Sequence, residues 1–425
     1  MKSLLCNGHV WHDGQFQPLD VAIADGQIIS IGSSLPKEGF SVIDITGFHL
    51  VPGFVDVHVH LREPGFSYKE TIATGTAASA RGGYTGLGAM PNLKPVPDCM
   101  DSLQVQLDII EKDAAVRVYP YGAITVGQKG ETLADLTAMA PFVLGYTDDG
   151  RGVQNTAMME EAMTIAKTAG KPIVAHCEDE SLLEGCITVH PGNFAKAHGF
   201  EGACAESEWG QIARDLELVE KTGCQYHICH LSCKESVEVI RQAKAKGLPV
   251  TCETGPHYLI MTDDDIKNEG RYKMNPPIRG TADRDALVAG LVDGTIDCIA
   301  TDHAPHSHDE KCGDFTNSFN GVVGIETAFA TVYTYLVETG KVPMKTVVDA
   351  LTVNPCRIFG LEGGTIAEGA VADLTVLNLT APYTIYGENG ISMGKATPFE
   401  GWDVNADIAM TICGGKIVYN KEDKA

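Results

Sequence analysis

The middle of the chain alternates between short apolar, β-branched runs and longer segments in which apolar residues recur with helical spacing. Examples of the helical type are residues 156–169, 207–222, 235–245 and 283–292. Eight strand-like runs alternating with helices are typical of a (β/α)8 barrel. An open doubly wound sheet is the alternative, but no glycine-rich phosphate-binding motif opens a helix. The eight runs span residues 53–60, 83–92, 117–125, 142–150, 172–179, 225–232, 249–257 and 297–306.

Both ends of the chain have a different pattern, in which short strands flank tight turns. Asp25-Gly26 and Gly414-Gly415 lie between such strands, and Asp-Gly is typical of a two-residue hairpin turn. We therefore predict an α/β protein whose (β/α)8 TIM-type barrel carries a small β-sandwich domain formed from both termini. The predicted bounds are 52–360 for the barrel, and 1–51 with 361–425 for the β domain.

Histidine and aspartate residues end most of the predicted barrel strands. The carboxyl ends of barrel strands meet at one face, which is where the active sites of this fold lie. A barrel with a purely structural role has no reason to place such residues at nearly every strand end. We therefore predict an active site at this face, formed from His58, His60, Asn92, Asp148, Asp149, His176, His230 and Asp302.

The histidines of this set predict a metal centre. His58 and His60 alternate with valines, so they share one face of a strand, about 7 Å apart, and can chelate one ion. With His176, His230 and Asp302 they exceed the needs of one tetrahedral zinc, so we predict two metal ions. Nitrogen and oxygen donors without thiolate fit Zn2+ best, with Mn2+ or Co2+ as alternatives.

The fourth strand end supplies the expected bridging ligand. It contains Asp148-Asp149-Gly150 and no lysine, so one of the two aspartates is predicted to bridge the ions, while the other serves the turn before Gly150. Asp302 is the predicted general base and acid, accepting a proton and passing it to a leaving nitrogen. His306 lies beyond the last strand, beside the polar stretch 307–320, which we expect to be a mobile loop.

The remaining histidines have no company at a strand end, and we interpret them as structural. His303 follows Asp302 but points the other way along the strand, so we interpret it as structural too. The others are His9, His12, His49, His190, His198, His227, His257 and His308.

Two segments resemble the signatures of dihydroorotases in the amidohydrolase superfamily. They are PGFVDVHVHLREPG at residues 52–65 and ATDHAPH at residues 300–306. Shorter matches follow in the family's order and extend the resemblance over nearly the whole chain. It implies the reversible, zinc-dependent hydrolysis of the cyclic amide of (S)-dihydroorotate to N-carbamoyl-L-aspartate in pyrimidine biosynthesis.

The resemblance also implies roles for individual residues. It favours Asp149 over Asp148 as the bridge between two Zn2+ ions that also share a hydroxide. Where the family often reads Phe-Gly, this chain has Asn320-Gly321, so at position 320 we expect a backbone role. The implied metal ligands are His58, His60, Asp149, His176, His230 and Asp302. The implied substrate contacts are His60, Arg62, Asn92, Asn275, His306, Asn320 and Gly321.

Composition and charge restrict the partners. The chain has 32 Lys and Arg against 56 Asp and Glu, a net charge of -24, which argues against nucleic acid or an anionic membrane as partner. We find no 18-residue apolar run, and the start of the chain, Met1–Cys6, is too short for a signal core. Thirteen cysteines without C-x-x-C spacing indicate reduced thiols, so we expect a cytoplasmic protein. The resemblance implies a small anionic substrate, which the net charge does not exclude.

Two alternative functions and two associations stay open at this point. An allantoinase or hydantoinase would share the fold, but those enzymes typically use a carbamylated lysine bridge, and hydantoinases lack an anchor like Arg62. A non-catalytic dihydroorotase-like subunit of aspartate transcarbamoylase would have lost metal ligands, whereas this chain has all those expected. The resemblance implies a homodimer, and association with aspartate transcarbamoylase is possible.

Overall fold

The computed structural model describes residues 2–424, which form a barrel of strands and helices joined to a sheet made from both ends of the chain. Met1 and Ala425 lie outside the described residues. The strands, in chain order, are β1 (Lys2–His12), β2 (Gln15–Ala24), β3 (Gln27–Gly32), β4 (Ser41–Asp44), β5 (His49–Pro52), β6 (Phe54–Val59), β7 (Tyr84–Ala89), β8 (Arg117–Pro120), β9 (Ile173–Ala175), β10 (Tyr226–Ile228), β11 (Val250–Thr254), β12 (Cys298–Ile299), β13 (Leu374–Asn378), β14 (Tyr383–Thr384), β15 (Asp403–Val404), β16 (Asp407–Cys413) and β17 (Lys416–Asn420).

The helices fall between the barrel strands and after the last of them. The four helical segments predicted from apolar spacing are present as α4, α6, α7 and α9, with ends within two residues of those predicted. The helices are α1 (Ile72–Arg81), α2 (Met100–Asp113), α3 (Leu136–Met139), α4 (Thr156–Ala169), α5 (Asn193–His198), α6 (Glu206–Thr222), α7 (Lys234–Ala245), α8 (Pro256–Ile260), α9 (Thr281–Asp293), α10 (His308–Lys311), α11 (Ala328–Val332), α12 (Met344–Leu351) and α13 (Val353–Phe359).

The barrel consists of two parallel ladders that single bridges connect. β6, β7 and β8 form one ladder, and β9 to β12 form the other. Tyr146 bridges both Gly122 and Ile173, and a bridge between Val59 and His303 closes the ring. The predicted barrel is confirmed, and its strand ends face one mouth.

The fourth barrel position differs from the prediction. Within the predicted run 142–150, only Tyr146 forms β-bridges and no continuous strand forms, although Leu144, Gly145 and Thr147 also make backbone hydrogen bonds to the neighbouring segment 120–122. The side chain of Asp148 instead accepts hydrogen bonds from the backbone amides of Ile124 (2.8 Å) and Thr125 (3.1 Å). These bonds add to the backbone pairing and connect the end of this segment to the residues after β8.

The two ends of the chain meet in one sheet. β13 pairs antiparallel with β5, so the strand order is β17-β16-β13-β5-β1-β2-β3, with β4 beside β1. Asp25 and Gly26 have φ of 52° and 83°, as a two-residue hairpin turn between β2 and β3 requires. The predicted composite β domain is therefore confirmed, while its residue bounds remain a prediction.

Two whole-chain features complete the fold. Within residues 2–424, no helix combines the length and the apolar character needed to cross a membrane. All thirteen cysteines are free thiols, and most of them are buried. The apolar core fills the space between the barrel and its helices, with a separate cluster inside the composite sheet.

Candidate metal centre and substrate pocket

A cavity of about 180 Å³ opens at the carboxyl ends of the barrel strands. It collects side chains from loops that are far apart in the sequence. It includes every predicted site residue except Asp148 and His58, and His58 is fully buried. The lining residues are His60, Arg62, Asn92, Asp149, Gly150, His176, His230, Asn275, Asp302, Ala304, His306, Asn320 and Gly321.

Asp149 stands at the centre of the four histidines. Its Oδ1 lies 3.3 Å from His58 Nε2, 3.6 Å from His230 Nε2 and 3.9 Å from His176 Nδ1. Its Oδ2 lies 3.5 Å from His60 Nε2. Both carboxylate oxygens therefore face imidazole nitrogens, which is the arrangement that a bridging ligand needs. Asp148, as described above, is engaged with the backbone instead.

Asp302 completes this cluster from the last barrel strand. Its Oδ1 lies 3.1 Å from His60 Nε2 and 3.4 Å from His58 Nε2. Burial alone would raise the pKa of Asp302, but the neighbouring His58 and His60 hold it well below its usual range. The carboxylate is therefore ionised.

Backbone strain marks three residues of the site. Arg62, His230 and Asp302 have φ of 62°, 31° and 47°, in a region that non-glycine residues rarely adopt. Such conformations cost free energy and persist only where the surrounding structure holds them. The three residues lie two or three positions after the ends of β6, β10 and β12, and all three line the cavity.

The donor set fits a metal ion. His58 Nε2 and Asp149 Oδ1 are buried and make no hydrogen bond, although they lie close together. Among the predicted ligands, three groups of ligand atoms lie within 4.8 Å of one another: His58 with His60 and Asp149, His58 with His230 and Asp302, and Asp149 with His176 and His230. Imidazole nitrogen and carboxylate oxygen are ligands that zinc and related divalent ions prefer.

A buried carboxylate orients His58 from behind. Glu253 Oε1 lies 2.8 Å from His58 Nδ1, and Oε2 lies 3.1 Å from His227 Nε2. Burial would raise the pKa of Glu253, but the bonds to the two histidines outweigh it and lower the pKa to about 2. The ionised carboxylate accepts the Nδ1 proton of His58, so the lone pair of Nε2 faces the site, as metal-binding histidines require.

Sequence reasoning missed Glu253 and interpreted its partner His227 as structural. One signal was available, because Glu253 is the only acidic residue in the run 249–257. A carboxylate buried in a barrel strand needs a charged or hydrogen-bonding partner. The sequence alone did not say which residue that partner would be.

Glu178 and Asn275 support His176 in a similar way. Glu178 Oε2 lies 3.5 Å from His176 Nε2, and Asn275 Nδ2 donates to Glu178 Oε1 at 3.0 Å. On the opposite side, Asn92 Nδ2 donates to the backbone oxygen of Asp149 at 2.7 Å. Asn92 and Asn275, both predicted substrate contacts, therefore also contact the residues of the cluster or their supports.

The far side of the cavity is cationic. Arg62 Nε donates to the backbone oxygen of Pro305 at 3.1 Å, and burial lowers the pKa of its guanidinium to about 10, so it stays charged at neutral pH. His306 Nε2 lies 2.8 Å from the backbone oxygen of Asn320. The amide of Gly321, a predicted backbone contact, donates to the backbone oxygen of Lys273 at 3.0 Å.

The polar stretch 307–320, expected to be a mobile loop, contains the short helix α10. Ser307 and Glu310 form a capping box at its start. Lys311, the buried last residue of this helix, donates to the backbone oxygens of Lys273 (3.0 Å) and Phe319 (2.7 Å). These bonds tie the stretch to the loop that carries Asn275.

The strand-end cluster and the composite sheet together define a hydrolase of the amidohydrolase superfamily. The family described as "Dihydro-orotase-like" matches residues 47–236, and the family described as "Amidohydrolase family" matches residues 238–419.

Similar proteins make the assignment more specific. A dihydroorotase of Staphylococcus aureus is 48% identical over 420 residues, covering 98% of this chain and 99% of its own length. A dihydroorotase of Geobacillus sp. is 47% identical over 425 residues, covering 99% of both. The chain belongs to the dihydroorotase family.

Solved structures agree on the fold. The L-hydantoinase (dihydropyrimidinase) of Arthrobacter aurescens superimposes with a TM-score of 0.88 at 24% identity, covering 99% of this chain and 97% of that one. The dihydropyrimidinase of Brevibacillus agri gives 0.85 at 25% identity, covering 99% and 96%. At this identity the likeness concerns the barrel and sheet, and it favours the hydantoinase alternative only weakly.

Proposed function

We propose that this protein is a dihydroorotase, which hydrolyses the cyclic amide of (S)-dihydroorotate to N-carbamoyl-L-aspartate and closes the ring in the reverse direction, as a step of pyrimidine biosynthesis. The observation that carries the proposal is that one cavity holds both the histidine and aspartate cluster and the buried, charged Arg62. The whole-length similarity to curated dihydroorotases supports it.

The metal centre in this proposal holds two Zn2+ ions with Asp149 as the bridging ligand. When bound, the ions supply Lewis-acid polarisation of the substrate carbonyl and a water that is nucleophilic at neutral pH. The central position of the Asp149 carboxylate supports the bridging role. The proposed ligands are His58, His60, Asp149, His176, His230 and Asp302.

Asp302 is the proposed catalytic residue for proton transfer. It is ionised and lies at the edge of the cluster, with its carboxylate lining the cavity. It accepts the proton of the attacking water and delivers it to the ring nitrogen when the amide bond breaks, so one group acts first as base and then as acid.

The carboxylate of the substrate binds on the cationic side. The planar fork of Arg62 matches both oxygens of a carboxylate. His60, Asn92, Asn275 and His306 are the other proposed contacts, with Asn320 and Gly321 through their backbone. Their shared position around one cavity supports the assignment.

Two rival functions lose support. A hydantoinase-type enzyme typically has a carbamylated lysine where this cluster has Asp149, and it lacks a carboxylate anchor like Arg62. A non-catalytic subunit would lack ligands, whereas all six proposed ligands meet in this structure. A homodimer, association with aspartate transcarbamoylase and a cytoplasmic location rest on the family resemblance and composition alone.

The proposal is tested by measuring turnover of three cyclic amides with the zinc-loaded protein. We expect dihydroorotate to be opened and carbamoyl aspartate to be closed, with allantoin and hydantoin left intact. Opening of allantoin or hydantoin with dihydroorotate untouched would overturn it. Metal analysis of the same sample gives the number and identity of bound ions.

A further inference from the structure

His306 contacts four polar groups, which come from three different segments of the chain. Its Nε2 lies 2.8 Å from the backbone oxygen of Asn320 and 3.4 Å from a terminal nitrogen of Arg62. Its Nδ1 lies 3.2 Å from Lys69 Nζ and 3.2 Å from Glu310 Oε2. Which nitrogen carries the proton decides whether His306 offers the cavity a donor or an acceptor.

The shortest of these contacts places the proton on Nε2. A carbonyl oxygen can only accept, so the 2.8 Å contact with Asn320 requires an N–H at Nε2. The opposite tautomer would set two lone pairs against each other at that distance. Double protonation is opposed by the charges of Arg62, Lys69 and Lys311, although Glu310 favours it. Burial and these cations lower the pKa of His306 to about 3.

Lys69 contacts both His306 and Glu310. It is buried, and its Nζ lies 2.9 Å from Glu310 Oε1 as well as 3.2 Å from His306 Nδ1. The rings of Phe66, Tyr68 and Phe319 lie 5.3 to 5.6 Å from the ammonium group, within the range of cation–π attraction. An ammonium has only donors, so this contact favours Nδ1 as an acceptor, whereas the Glu310 carboxylate, also 3.2 Å from Nδ1, favours a proton there. The shorter contact of Nε2 with the backbone oxygen of Asn320 decides between the two.

We propose that Lys69 is a positioning residue for substrate binding: by donating to Nδ1 it keeps the proton of His306 on Nε2, facing the cavity. The proposal rests on the proposed function, in which His306 and Arg62 meet the substrate carboxylate. An imidazole with the proton on Nδ1 would turn a lone pair toward that anion and repel it. Lys69 itself touches no substrate.

A structural role for Lys69 alone would predict something different. Lys69 also joins the loop after β6 to helix α10 through Glu310, so its loss could simply loosen the loop. Lys311 provides the matched control. It is also a buried lysine that holds the same stretch, but its hydrogen bonds go to the backbone of Lys273 and Phe319 and not to His306.

The tautomer is measured by ¹⁵N NMR on protein labelled at histidine, with the His306 signals assigned by comparison with His306→Gln. In the wild type we expect a neutral ring with a protonated Nε2 and an unprotonated Nδ1. Lys69→Met should move the proton to Nδ1, toward Glu310, or leave both nitrogens protonated. Lys311→Met should keep the wild-type pattern. A proton on Nδ1 in the wild type, or no change in Lys69→Met, overturns the proposal.

Kinetics separate positioning from folding. For Lys69→Met we expect KM for dihydroorotate to rise about tenfold to a hundredfold with a smaller change in kcat, since a charge-assisted hydrogen bond to the substrate is lost. Lys69→Arg should recover part of this loss, and Lys311→Met should raise KM less. If both Met variants raise KM equally with the tautomer unchanged, Lys69 only holds the loop. A wild type that leaves dihydroorotate untouched refutes the proposed function, while NMR still decides the tautomer.

Discussion

Two histidines at opposite sides of the cavity are prepared for opposite tasks by the charge behind them. His58 has the carboxylate of Glu253 at its Nδ1, which accepts the proton there and leaves a lone pair on Nε2. His306 has the ammonium of Lys69 at its Nδ1, which donates there and leaves the proton on Nε2. The first ring can bind a cation and the second can bind an anion. The buried charged residue that contacts Nδ1 therefore decides what each imidazole can bind.

The two sides also differ in what holds them. The metal side is carried by residues in or directly after the barrel strands and by the fourth segment, which holds Asp149, and its ligands are buried. The anion side is carried by the loops after β6 and β12, which are joined through Arg62 and Lys69. If the comparison is sound, changes on the metal side should affect metal content or kcat, and changes on the anion side should affect the binding of substrate.

The largest expected effect is that of removing the metal. After dialysis against a chelator, dihydroorotate turnover should fall to background, and added Zn2+ should restore it, because the buried ligands then recover their partner. Metal analysis before and after dialysis checks the occupancy. Full activity in protein shown to be free of metal would contradict the assignment of this cluster as a catalytic metal centre.

Asp302→Asn should have the next largest effect. The amide keeps the shape of the side chain but cannot carry a proton between water and the ring nitrogen, so kcat should fall by about 10² to 10⁴. Metal content should stay near that of the wild type, since the five other ligands remain. Steady-state kinetics with metal analysis measure both. A near-normal kcat would show that Asp302 does not carry the proton.

Arg62→Met should spare the metal and weaken substrate binding. We expect kcat/KM for dihydroorotate to fall by roughly a hundredfold or more, because a two-pronged charged contact with the carboxylate is lost in a buried site. Arg151→Met is the control, since Arg151 is exposed and pairs with Glu180 outside the cavity. Equal kinetics for the two variants would show that Arg62 does not hold the substrate.

Glu253→Gln should have the smallest effect of the four, and on the metal side only. Loss of the charge behind His58 should lower zinc affinity about tenfold to a hundredfold. Competition with a chromophoric chelator measures this directly. Asp215→Asn is a suitable control, because Asp215 is a buried carboxylate that bonds Tyr226 and Arg214 and contacts none of the proposed ligands. If both variants bind zinc with equal affinity, Glu253 does not prepare His58 for metal binding.

The sequence predicts the parts of this site that depend on strand periodicity. The alternation around His58 and His60 and the residues at strand ends follow from the pleat and from the parallel barrel, so their convergence could be predicted. The contacts that complete the fourth run could not be predicted, because the Asp148 carboxylate bonds the backbone of Ile124 and Thr125, which lie 24 and 23 positions away. The partners behind the two histidines were missed for a related reason.

Those partners depend on contacts between distant segments. Glu253 and His58 are separated by 195 positions, and Lys69 and His306 by 237. No periodicity relates such positions, and only the closed barrel brings them together. Residue type gave a hint for Glu253, because a buried strand rarely contains an unpaired acid. Lys69 lies in a polar loop, where a lysine is ordinary.

The most direct test of the account compares dihydroorotate with dihydrouracil, which has the same ring without the carboxylate. With the zinc-loaded wild type, we predict a kcat/KM at least roughly 10³-fold higher for dihydroorotate, because a site built to bond a charged group rejects an analogue that leaves it unpaired. In Arg62→Met this ratio should shrink. Comparable rates for the two rings in the wild type would contradict the central claim that a metal side and an anion side act together on one substrate.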